Sequence, residues 1–108
     1  MTGTSPARPG PWIDAGHGVR RRVLARDPAL MVVAFAFGRD GVGQPHSHPH
    51  VQSTYVVSGR FAFTVAGQKR EIGPGDSLIV PSGAVHGCKA LSPGLLIDTF
   101  TPRRDDFL

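Results

Sequence analysis

Short apolar segments recur along the chain, and most alternate apolar and polar positions with a period of two. Residues 19–25 form one such segment, and residues 30–37 form a nearly continuous β-rich run that reads as a buried strand. Residues 51–58 lead through Gly59-Arg60 into residues 61–66, where Phe61, Phe63 and Val65 fall on one face. Residues 69–72, 77–80, 85–91 and 95–101 complete the series. Turn chemistry separates them at Arg39-Asp40-Gly41, Gly67-Gln68 and Gly73-Pro74-Gly75-Asp76, and again at Pro81 and Gly83. Strands spaced by ~8–12 residues, with no window of long helical period and no fixed repeat, predict an all-β sandwich or small closed barrel. Within residues 95–101, Leu96, Asp98 and Phe100 share one face while Leu95, Ile97 and Thr99 share the other.

A chain of 108 residues is one domain. Its 14 glycines and 10 prolines break helices, yet 40% of the residues are apolar, so a core can form. Residues 1–11, rich in Thr, Gly, Ser and Pro, read as a flexible N-terminal arm ahead of a single domain at residues 12–108. With Cys88 the lone cysteine, no intramolecular disulfide can help to hold the fold. The net charge is +4, and the tight basic run is Arg20-Arg21-Arg22. Because this run sits in a predicted strand, its side chains point to both faces; it reads as a solvated strand edge rather than a phosphate patch, and no nucleic-acid partner is expected. The positive charge still favours anionic small molecules. The longest apolar stretch, residues 29–37, is too short to cross a membrane, and the start shows no signal-peptide pattern, so a cytoplasmic protein is expected.

The informative segment is His46-Ser47-His48-Pro49-His50-Val51-Gln52. On an extended strand His46 and His48 project together and Gln52 joins them, a donor set suited to a divalent first-row metal. His86, just after the turn of Pro81 and Gly83, is placed to supply a fourth donor. The competing reading is an exposed polar loop with adventitious metal affinity. Strict alternation would add His50 to the ligand face, but Pro49 disturbs the pleat, and His50 is expected behind the ligands or at the rim. Cys88 shares the face of His86 and reads as a small buried hydrophobe; Tyr55, out of phase with Gln52, should face away.

Two ordered patterns carry a family resemblance. His46-x-His48-x3-Gln52-x6-Gly59 resembles the first cupin motif, with Gln52 where the usual pattern has Glu, and with Asp40 where a glycine usually precedes the histidines. Gly75-x5-Pro81-x-Gly83-x2-His86 resembles the second, with Ala90 at its terminal Asn position. The resemblance implies a small cupin jelly-roll barrel, the double-stranded β-helix. A closer one is to the small pectin-degradation cupins of the KdgF type. It is carried by His46-Ser47-His48-Pro49-His50, by Tyr55-Val56-Val57-Ser58-Gly59, by the ending from Asp98 to Leu108, by Pro11-Trp12 and by Leu30-Met31-Val32-Val33. Such proteins convert cyclic 4,5-unsaturated monouronates, released by pectate and alginate lyases, into linear keto forms. By position the resemblance implies metal ligands His46, His48, Gln52 and His86, and pocket residues Asp98, Phe100 and Arg104.

Opening a cyclic hemiacetal and ketonising an enol both move protons and both gain from polarising an oxygen. A metal held by three neutral imidazoles and a neutral amide keeps its full double charge and acts as a strong Lewis acid. The donor set accepts Ni, Fe, Mn, Co, Cu or Zn. Asp98 is the candidate general acid/base, its alternative being a solvated carboxylate at a strand end. Arg104 is a candidate catalytic residue and carboxylate grip, with a surface role or a substitution by Arg103 as alternatives; Phe100 is a candidate pocket wall, with plain core as its alternative. The substrate class implied is a small anionic sugar acid. An Fe(II)-dependent dioxygenase and a non-catalytic metal- or ligand-binding cupin are the rival functions. Open sheet edges suggest pairing with a second chain, so a homodimer is expected.

Overall fold

The computed structural model describes residues 5–108, and ten strands run through them: β1 (Ile13–Gly16), β2 (Val19–Asp27), β3 (Leu30–Phe37), β4 (Val42–His46), β5 (Val51–Ser58), β6 (Phe61–Val65), β7 (Gln68–Ile72), β8 (Ser77–Val80), β9 (His86–Ala90) and β10 (Gly94–Thr101). A 3-10 turn over Asp105–Phe107 follows. The expected strands at 30–37, 51–58 and 77–80 have those bounds, while β1 and β4 were not legible in the pattern. Every pairing is antiparallel. The order is β1-β2-β3-β10-β5-β8 in one sheet and β4-β9-β6-β7 in the other, the two-sheet jelly roll that the strand spacing and motifs imply.

Residues 1–4 of the expected N-terminal arm lie outside the described residues. Farther along, Gly10 is tied to β2: its N–H donates to the Val23 carbonyl at 2.8 Å and its carbonyl accepts from Arg22 Nε at 2.9 Å. The arginine run is not at a sheet edge, because β1 covers β2. Its alternation does hold. Arg20 and Arg22 stack over Trp12 at 5.0 and 4.9 Å, and Arg21 points the other way, into the barrel.

The inner face of the larger sheet is built in rows. β10 pairs with β5 so that Leu96 faces Val56, Asp98 faces Thr54 and Phe100 faces Gln52, and all six are buried. The Leu96–Val56 row joins the apolar plug made with Phe37, Phe61, Ile72, Val80 and Ala90, where Phe37 and Phe61 meet edge-on at 5.1 Å. Phe100 instead packs with Met31 and Val33 in a second cluster. Between these clusters the barrel carries polar side chains. Glycine is required where β5 passes into β6: Gly59 has φ +81°, and a Cβ there would stand 2.6 Å from both the Pro93 carbonyl oxygen and Gly94 Cα.

Candidate functional site

The motif His46–Gln52 crosses from one sheet to the other, so a shared strand face is not what gathers its residues. His46 ends β4 in the four-stranded sheet, His48 lies in the connecting loop, and Gln52 belongs to β5 in the six-stranded sheet. A bulge in β4, between Gly43 and His46, brings His46 opposite His86 at the start of β9. The loop is pinned by the second motif: the Gly83 N–H donates to the His48 carbonyl at 2.8 Å, and Ser82 Oγ donates to the Pro49 carbonyl at 2.6 Å. Close packing of β9 on β4 needs Gly87, where a Cβ would stand 2.8 Å from the Gly43 carbonyl oxygen.

The three imidazoles converge, with one ring nitrogen of each within 4.8 Å of the others, and together they could hold a metal ion. Their tautomers follow from their neighbours. Nδ1 of His46 lies 2.8 Å from the Gln44 carbonyl, Nδ1 of His48 lies 3.1 Å from the His50 carbonyl, and Nδ1 of His86 lies 3.0 Å from the Ala84 carbonyl. A carbonyl only accepts, so each Nδ1 carries the proton and each Nε2 presents a lone pair. Burial, aided by the charge of Arg104, lowers the pKa of His48; burial likewise lowers that of His86, so both stay neutral. His86 Nε2 is buried with no hydrogen-bond partner.

Gln52 is oriented from behind. Its Nε2 donates to Thr54 Oγ1 at 3.0 Å and to Asp98 Oδ2 at 3.2 Å, which turns Oε1 toward His48 Nε2 at 3.0 Å. Two acceptors therefore face each other at contact distance, an arrangement that a cation between them satisfies.

Asp98 is buried, and its Oδ1 has no partner. Desolvation pushes its pKa up to about 7, against the opposing pull of Thr54 and Arg104. The lumen position expected for this residue is thus the one observed. Arg104 is buried as well, and two of its nitrogens close on Asp106: Nε at 2.9 Å and Nη2 at 2.7 Å. Its guanidinium stacks over Phe100 at 5.0 Å and over Phe107 at 4.2 Å. Arg103 turns away to pair with exposed Asp105 at 2.6 Å. His50 sits behind His48, with its Nε2 donating to the Arg103 carbonyl at 3.2 Å. Cys88 lines the cavity; burial pushes its thiol up to about 12, so it remains a protonated hydrophobe. Tyr55 faces outward.

His46, Gln52, His86, Cys88, Asp98, Phe100 and Arg104 border a cavity of about 250 Å³, just below the ~300–1,000 Å³ of pockets that hold drug-sized ligands. Arg21, Gln44, His17 and Phe107 also line it and were not anticipated. The signal for Arg21 was present: it is in phase with Val19 and Val23, which pack into the two apolar clusters.

Comparison with known proteins places this geometry. A family model for the cupin domain matches residues 31–100. The pectin degradation protein KdgF of Dickeya dadantii is 38% identical over 100 residues, spanning 91% of each chain. The structure of KdgF from a Halomonas species superposes with a TM-score of 0.87 at 44% identity over 92% of each chain. An RmlC-like cupin from Shewanella frigidimarina superposes with a TM-score of 0.88 at 39% identity, over 91% of this chain and 88% of that one. The chain therefore belongs to the cupin family, and within it is a homologue of the KdgF proteins.

Proposed function

We propose that this protein is a metal-dependent cupin of pectin and alginate breakdown that opens cyclic 4,5-unsaturated monouronates to their linear keto form. The observation that carries the reading is Asp98. A buried carboxyl group with a free Oδ1 stands one amide away from a histidine cluster, inside a cavity of about 250 Å³. The KdgF relatives support the substrate class.

His46, His48, His86 and Gln52 would hold one divalent transition metal, Gln52 through the Oε1 that faces His48. The bound ion would supply Lewis acidity toward the substrate's oxygens. The chain's own groups supply the rest. Asp98 in its carboxylate form takes the proton of the anomeric hydroxyl. The bond from the anomeric carbon to the ring oxygen then breaks, leaving an aldehyde and an enolate whose double bond still joins carbons 4 and 5. Asp98 returns the proton to carbon 4, and the enolate becomes the ketone. The proton count is unchanged and no external reactant enters. Burial raises the pKa of this carboxyl group and a bound cation would pull it back down, which favours the carboxylate that takes the first proton. The guanidinium of Arg104, fixed by Asp106, places positive charge where the enolate develops, and Phe100 forms the wall beneath it.

The test is to follow the olefinic proton signals of the unsaturated monouronate by NMR with metal-loaded protein. Wild type is expected to remove them faster than buffer does, and Asp98→Asn to abolish the acceleration with metal content unchanged. Metal-loaded wild type that gives no acceleration would sink the reading.

A further inference from the structure

Arg21 is a cation inside the barrel with no acid beside it. It sits in β2 opposite Phe35 of β3, and it borders the same cavity as Asp98, His46 and His86. Its guanidinium lies 4.3 Å from the centre of the Phe107 ring. Among the described residues it makes no hydrogen bond and no ion pair. Arg104 presents a contrast: it lies 4.2 Å from the same ring, and Asp106 already occupies two of its nitrogens and offsets its charge. The two guanidiniums therefore lie against one aromatic ring.

A half-buried guanidinium has lost part of its water, and the ring quadrupole of Phe107 steadies it without supplying a hydrogen-bond acceptor. Its donors stay available for an anion. A planar fork of this kind matches a carboxylate with two parallel hydrogen bonds. We infer that Arg21 is the carboxylate anchor of the site: it binds the uronate's carboxylate on the β2 wall and leaves Arg104 to the reacting oxygens. The inference rests on the uronate reading for its substrate class. It divides between two residues the roles that the sequence assigned to Arg104 alone, and it makes Arg21 the residue that selects acid sugars over neutral ones.

The test measures binding and turnover separately on metal-loaded protein. Binding of D-galacturonate and of neutral D-galactose is titrated calorimetrically with wild type, Arg21→Gln and Arg21→Lys. Hydrogen bonds between charged groups imply a loss of about tenfold to a hundredfold in galacturonate affinity for Arg21→Gln, with a smaller loss for Arg21→Lys and no change for galactose. With the unsaturated monouronate, KM should rise by a similar factor while kcat stays within about threefold. Arg21→Lys keeps the charge and the stem over Phe107, so it serves as the folded control. Arg21→Gln that keeps the preference for galacturonate, or turns over the monouronate with unchanged KM, would overturn the assignment and leave the uronate reading standing. Wild type that binds galacturonate through Arg21 yet leaves the monouronate untouched would uphold the anchor and overturn the reaction.

Discussion

Asp98→Asn should remove the chemistry and make the metal-free protein more stable, and the gain should depend on pH. The carboxyl group is fully enclosed, and its pKa rises from 3.8 unfolded to about 7 folded. Between these values the folded chain holds a proton that the unfolded chain has released, so stability falls as pH rises through this window. At 1.36 kcal/mol per pH unit the loss amounts to about 4 kcal/mol by pH 8. Asparagine has the same shape and no charge. Turned so that its oxygen accepts from Gln52 Nε2, it keeps that hydrogen bond. The assay is urea unfolding of wild type and Asp98→Asn from pH 4 to pH 8 with a chelator present. Every other titrating group is common to both proteins and cancels in the difference. The variant's advantage should be smallest near pH 4, grow by about 4 kcal/mol, and level off near pH 8. Adding a divalent metal should shrink it, since a cation beside the carboxylate favours ionisation. An advantage independent of pH, or one that falls as pH rises, would refute the reasoning and place Asp98 in contact with solvent.

Three further outcomes follow from the packing. Gly87→Ala should force β9 from β4, because its Cβ meets the Gly43 carbonyl oxygen at 2.8 Å; a loss of roughly 10–100-fold in metal affinity, read by chelator competition, is expected as His46 and His86 separate. Asp106→Asn should lower kcat/KM several-fold with a stability change under about 1 kcal/mol in urea unfolding, because the partner of Arg104 is largely exposed. The hydrogen bond from Arg104 holds the Asp106 carboxyl below its usual value of 3.8, so this pair stays intact at neutral pH and is lost as pH falls through that lowered value. Sedimentation at micromolar concentration should show a homodimer of twice 11.5 kDa, with the outward-facing Tyr55, Val57 and Ile79 giving a second copy an apolar face to cover; a species of 11.5 kDa alone would exclude it.

Much of this fold is written in period two. The strands with clean alternation or a continuous β-rich run, β3, β5 and β8, were bounded by sequence alone, and the phase of β10 placed Leu96, Asp98 and Phe100 inward. Two strands escaped for physical reasons. β1 has four residues, two of them Ala and Gly, and is held by β2 alone. β4 contains Gly43 and Pro45, poor strand formers, and owes its form to β9. The histidine motif gave the residues but the wrong reason: alternation predicts one face on one strand, whereas a bulge, a pinned loop and a second sheet bring His46, His48 and Gln52 together. Arg21 was legible by phase and obscured by its neighbours, because an arginine run reads as a surface feature until Trp12 is seen to cover Arg20 and Arg22 from outside.

β10 is the last strand in the chain, yet it lies between β3 and β5 in the middle of its sheet. During synthesis the facing edges of β3 and β5 must therefore wait, unpaired, until β10 has emerged. A fold closed by so distant a pairing forms slowly, and its waiting edges are the places where a nascent chain would misassociate. The strand that ends this exposure also carries Asp98, so a product that stops before β10 lacks the buried carboxyl group of the cavity as well as the closing strand.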